Sequence, residues 1–108
     1  MRMWNVDPSK MCRQHLLGEH LEMHMFVGAL AKNKMLSGYI NGGLVHIANI
    51  CNRHDQLVKE MVKRGYKHKT PVMLPKTLGI NLIDYETNNI NIEENEKELH
   101  NRCNNCNF

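Results

Sequence analysis

Apolar residues recur at helical spacing from Met11 onward, with Leu16, Leu17, Leu21, Met25, Phe26, Val27 and Leu30 close to one face of a helix. Asp7-Pro8 supplies an N-cap and a proline at the first helical position. Together they predict a helix over about residues 8–32. Gly18 and Gly28 inside it cost about 1 kcal/mol each relative to alanine, which points to close approach of another backbone or a ligand. Residues 33–43 read as a loop with one short helical turn at Met35–Ile40, closed by Asn41-Gly42-Gly43. A second helix is predicted from about Leu44 to Arg64, with Val45, Ala48, Cys51, Val58, Met61 and Val62 on its apolar face and Gly65 as its stop. Lys63 and Arg64 in its last turn suit the helix dipole.

Beyond it, Pro71 and Pro75 make residues 66–80 an irregular basic segment, and Leu78 to Tyr85 reads as extended. Asn91 followed by Glu94 is a capping-box-like start for a third helix over about 92–102. The pattern predicts an all-α fold: one small helical bundle of about three helices over residues 1–108, with a loosely packed acidic tail from about residue 88.

Composition adds exclusions. At 108 residues, 42% hydrophobic and 23% charged, the chain reads as one ordinary globular domain. No apolar run approaches the roughly 18 residues of a membrane span. Residues 1–10 lack the apolar core of a secretory leader, so a cytoplasmic protein is expected, in the host cytoplasm if it is viral. Asn-rich stretches near 88–107 match the composition of an AT-rich genome. The net charge of +3 divides unevenly: residues 1–76 carry 12 Lys/Arg against 5 Asp/Glu, and residues 77–108 carry 2 against 6. A basic body able to meet a polyanion thus precedes an acidic end that discourages non-specific binding.

The first helix carries an unusual polar stripe. His15, Glu19 and Glu22 are spaced by four and three and share one face, and His20 and His24 form a second i, i+4 pair about 100° away. Glutamates on helices are ordinarily solvated. A metal reading competes, since two histidines at this spacing can hold a divalent ion. Di-iron bundles, however, repeat a Glu-x-x-His motif that neither carboxylate here completes. At the chain end, His100-x-x-Cys103-x-x-Cys106 is half of a structural zinc site, which Cys12 or Cys51 could extend. The favoured reading of that end is a frayed tail with two free thiols, so no metal and no cofactor is assigned.

Gln14-His15-Leu16-Leu17-Gly18-Glu19-His20-Leu21-Glu22, followed by Phe26-Val27-Gly28, resembles the first helix of the phage endonuclease V-like pyrimidine dimer DNA glycosylases. Arg53, Leu57-Val58, Glu60 and Lys63-Arg64-Gly65-Tyr66 are similar to that family's long central helix. The resemblance spans about residues 1–67 and leaves the remainder unmatched. It implies an endonuclease V-like helical fold and a DNA-repair glycosylase with AP-lyase activity on damaged double-stranded DNA, pyrimidine dimers included, acting as a monomer without a cofactor.

In that family the nucleophile is the α-amino group of the first residue, which attacks deoxyribose C1′ to form an imine that permits β-elimination. Here Met1 takes that place, because Arg2 is expected to block methionine removal. The reference pKa of an α-amine, about 7.7–8.0, leaves a useful neutral fraction at pH 7. Glu22 matches the catalytic carboxylate, and Arg2 matches a basic residue beside the nucleophile. Gln14 and His15 match positions near substrate, and Glu19 matches a supporting glutamate. Trp4 is a candidate wedge or stacking group, with core packing as the alternative. Leu21 and Met25 replace family arginines that contact the DNA backbone, leaving Lys32, Lys34, Lys63, Arg64, Lys67, Lys69 and Lys76 as substitute phosphate ligands. Two other readings remain open: an inactive nucleic-acid- or nucleotide-binding protein on this fold, and a small zinc-stabilised interaction module.

Overall fold

The computed structural model describes residues 1–68, 70–74 and 85–108. Among these, the elements are helical: α1 (Arg13–Ala31), α2 (Ser37–Asn41), α3 (Ile50–Lys63) and α4 (Ile92–Arg102), with 3-10 turns at Pro8–Lys10 and Ile47–Asn49. The all-α expectation holds. The extended reading from Leu78 falls outside the described residues except at its last position, and Lys69 and Lys76 are likewise outside.

The first long helix starts later than Asp7-Pro8 predicts. Asp7 caps only a single 3-10 turn, accepting from the Ser9 amide, and the chain then extends through Met11. Cys12 is the true N-cap of α1, its Sγ accepting from the His15 amide. Buried positions in α1 are Leu16, Glu19, Met23, Phe26 and Leu30, an alternation of threes and fours with a glutamate inside the seam. Leu21 and Met25, counted as core from spacing, are 59% and 49% exposed.

Helix α3 packs against α1. Its buried residues are Ile50, Arg53, His54, Leu57 and Met61, whereas the predicted face member Val62 lies at the surface. Arg53 and His54 tolerate core positions because partners on α1 meet them there. Residues 1–6 lie across this pair, with Met3, Trp4 and Val6 buried and the Met3 amide donating to the Leu44 carbonyl at 2.6 Å. Arg53 Nη1 donates to the Val6 carbonyl at 2.7 Å. The N-terminus is thus held by its own backbone.

The tail is docked, contrary to the loose segment expected. Leu99 is fully buried, Asn95 donates to the Trp4 carbonyl at 2.8 Å, and the Asn107 amide donates to the Lys10 carbonyl at 2.7 Å. Gly43 makes the close approach on this side: its φ is +71°, and a Cβ there would stand 2.6 Å from the Asn89 carbonyl oxygen.

Candidate active site

A cleft of about 480 Å³ opens between residues 1–4 and the first half of α1, and its walls include Met1, Arg2, Trp4, Gln14, His15, Gly18, Glu19 and Glu22, with Leu44 and Arg102 at the edge. The N-terminal residue and the half-buried Glu22 therefore share one concavity, because docking of residues 1–6 brings the chain start back over the face that carries the polar stripe. Met1 also borders a neighbouring groove formed by Met25, Gly28, Lys32, Lys34 and Met35.

The seven residues singled out in the sequence all line this cleft, in different situations. Glu19 is 1% exposed and takes a two-pronged ion pair from Arg53, with Nε–Oε2 2.5 Å and Nη2–Oε1 2.8 Å. Burial pushes its carboxyl above the usual carboxylate range, against the pull of Arg53 and the amides of Asn5 and Trp4. That arrangement is structural. Trp4 is 5% exposed, with the Arg2 guanidinium 4.1 Å from its ring centroid and His15 edge-on at 6.1 Å. It forms a wall of the cleft and does not project as a wedge.

Arg2 is engaged from the other side, donating to Asn95 Oδ1 at 3.0 Å and to Glu98 at 2.8 Å. The hydrogen bond from Arg2 holds the Glu98 carboxyl below its ordinary range. Gln14 is exposed at the rim. His15 turns Nδ1 away from the cleft, 3.2 Å from Cys12 Sγ and 3.5 Å from Cys106 Sγ. Of the proposed phosphate ligands, Arg64 is committed to Glu60 and to the carbonyls of Pro8 and Met11.

No other backbone approaches Gly18 or Gly28, since a Cβ at either meets nothing within 4 Å, which leaves only the ligand half of the expectation. The room at Gly18 belongs to the cleft. A Gly18→Ala protein should therefore gain about 0.5–1 kcal/mol in urea unfolding from helix propensity alone.

Two further groups of side chains converge; the sequence offered Cys103 and Cys106 with Cys12 or Cys51 for the first, but with His100, which instead meets the Phe108 carbonyl, where the structure brings in His15. Cys12, His15, Cys103 and Cys106 have their ligand atoms within 4.8 Å of one another, as do His20, His24, His54 and His68. Burial and the neighbouring imidazoles push His20 down to about 4, and burial lowers His24 as well. Burial pushes the Cys106 thiol up to about 12, while the amides of Asn105 and Cys106 pull Cys103 down. The i, i+4 pair His20/His24 was the available signal for the second group, but its partners lie on α3 and beyond it.

A family model for pyrimidine dimer DNA glycosylases matches residues 1–74 of the chain, the part that builds the cleft apart from Arg102. Neither the curated proteins nor the solved structures yield a match. With that match covering more than half of its length, the chain belongs to the pyrimidine dimer DNA glycosylase family.

Proposed function

We propose that this protein is a DNA glycosylase and AP lyase in which the α-amino group of Met1 is the nucleophile and Glu22 the catalytic carboxylate. The observation that carries the reading is the shared cleft: Met1 and Glu22 line one cavity large enough for a deoxyribose. In the reaction, the neutral amine attacks C1′ of the damaged nucleotide and displaces the base, giving an iminium after ring opening. Loss of a C2′ proton then expels the 3′-phosphate by β-elimination, and water later hydrolyses the imine and returns the free amine. Glu22 stabilises positive charge developing at C1′ and shuttles protons to and from the opening sugar.

Phosphate recognition must differ from the family pattern, because Leu21 and Met25 offer no charge. Lys32 and Lys34, in the groove that adjoins Met1, are suited to neutralise the backbone beside the lesion. Arg102 at the cleft edge adds a cation from α4.

Borohydride reduction during reaction with abasic duplex DNA should trap one covalent adduct, and peptide mass mapping should place it on the Met1 amine. An adduct mapped to a lysine, or none with folded protein, overturns the N-terminal mechanism. Comparing ultraviolet-irradiated with abasic duplexes then separates glycosylase from lyase activity, and binding without cleavage of either would favour an inactive binding protein.

A further inference from the structure

We infer that Cys12, His15, Cys103 and Cys106 form a Cys3His zinc site that clamps the end of the chain onto the start of α1. Two short knuckles meet: Cys12-x-x-His15 at the N-cap of α1 and Cys103-x-x-Cys106 just after α4, 91 residues apart. Zinc bonds of about 2.3 Å to sulfur and about 2.05 Å to nitrogen in a tetrahedron require S···S near 3.8 Å and S···N near 3.5 Å. The distances are 3.9 Å for Cys12 Sγ to Cys103 Sγ, and 3.2 and 3.5 Å for His15 Nδ1 to Cys12 Sγ and Cys106 Sγ.

Backbone amides point at the sulfurs. The His15 amide donates to Cys12 Sγ and the Cys12 amide to Cys106 Sγ, while the Asn105 and Cys106 amides face Cys103. Such N–H···S bonds spread the charge of a metal-bound sulfur. A metal here would fasten α4, whose Asn95 and Glu98 hold Arg2.

A separate observation carries a second site. His20 and His24 on α1, His54 on α3 and His68 bring four imidazoles together, with Nε2 of His24 at 3.3 Å from that of His20 and 3.2 Å from that of His54. A tetrahedral zinc with about 2.05 Å bonds places nitrogens about 3.3 Å apart. Neutral imidazoles carry one N–H each, so three clustered Nε2 atoms cannot all be paired among themselves. His68 Nε2 is buried with no hydrogen-bond partner, and His54 Nδ1 lies 3.1 Å from the Asp55 carboxylate. That carboxylate selects the tautomer that turns the His54 Nε2 lone pair inward, the usual outer partner of a metal-bound histidine. We propose that these four histidines hold a second zinc ion in an all-nitrogen site.

The full chain, purified under reducing conditions without added metal, should contain two zinc ions by elemental analysis. Cys103→Ser should lose one, His24→Ala should lose the other, and Cys51→Ser should keep both. X-ray absorption on the unmodified zinc protein should show a mixed sulfur and nitrogen shell, and cobalt substitution should give a thiolate charge-transfer band that Cys103→Ser abolishes. These wild-type measurements stand even if a variant fails to fold. A shell without sulfur, or a mass deficit marking a Cys12–Cys103 disulfide in the purified protein, overturns the first site. A single zinc with a shell of three sulfurs and one nitrogen overturns the second site, and a folded wild-type protein without zinc overturns both.

Discussion

Replacing Glu22 with glutamine should lower strand cleavage at abasic sites by roughly 10²–10⁴-fold, the usual worth of a positioned acid–base group. Glutamine keeps the size and the hydrogen-bonding shape of the side chain but cannot carry charge or move a proton. Glu22 is half-buried on the cleft wall, outside the set of fully buried side chains. Substitutions at such positions usually change stability by less than about 0.5 kcal/mol, so urea unfolding should be nearly unaltered. Glu22→Asp, with the carboxylate drawn back by one methylene, should fall between the two. A Glu22→Gln protein that cuts abasic DNA at the wild-type rate would remove this carboxylate from the mechanism.

The second large effect concerns the neighbouring glutamate, and it has the opposite character. Glu19→Ala strands the Arg53 guanidinium in the core, where its side chain is 1% exposed and loses both carboxylate contacts. Breaking a buried pair from one side costs about 3–5 kcal/mol, since the remaining charge is left without a counter-charge. Equilibrium unfolding in urea should show that loss. The double variant Glu19→Leu/Arg53→Met should recover most of it, because neither charge is then left alone. A Glu19→Ala protein that loses under about 1 kcal/mol would mean that water reaches Arg53, and the pair would not be a core element. Two glutamates three residues apart on one helix are thus separable: one should change rate, the other stability.

Much of this was legible along the chain. The presence and C-terminal end of α1, the turn around α2 and the Asn91 cap of α4 follow from local spacing and capping chemistry, which act within a few residues. The polar stripe His15, Glu19, Glu22 was visible for the same reason. Helical period also misassigned residues, because it ranks apolar above polar. Leu21 and Met25 passed for core, while Arg53 and His54, which occupy it, were left off the apolar face. Of the two readings of Gly18, close approach of a backbone or of a ligand, the open space beside it removes the first.

What the linear order of residues determined is the helical architecture and the set of side chains on the first helix, since both depend on contacts between near neighbours. Tertiary structure alone decided which of them meet the N-terminus, that Glu19 belongs to Arg53, and that cysteines 91 residues apart and histidines from α1, α3 and the segment after α3 converge. Those pairings are made by burial and by the demand that each buried polar group find a partner, and that partner lies wherever the folded chain returns.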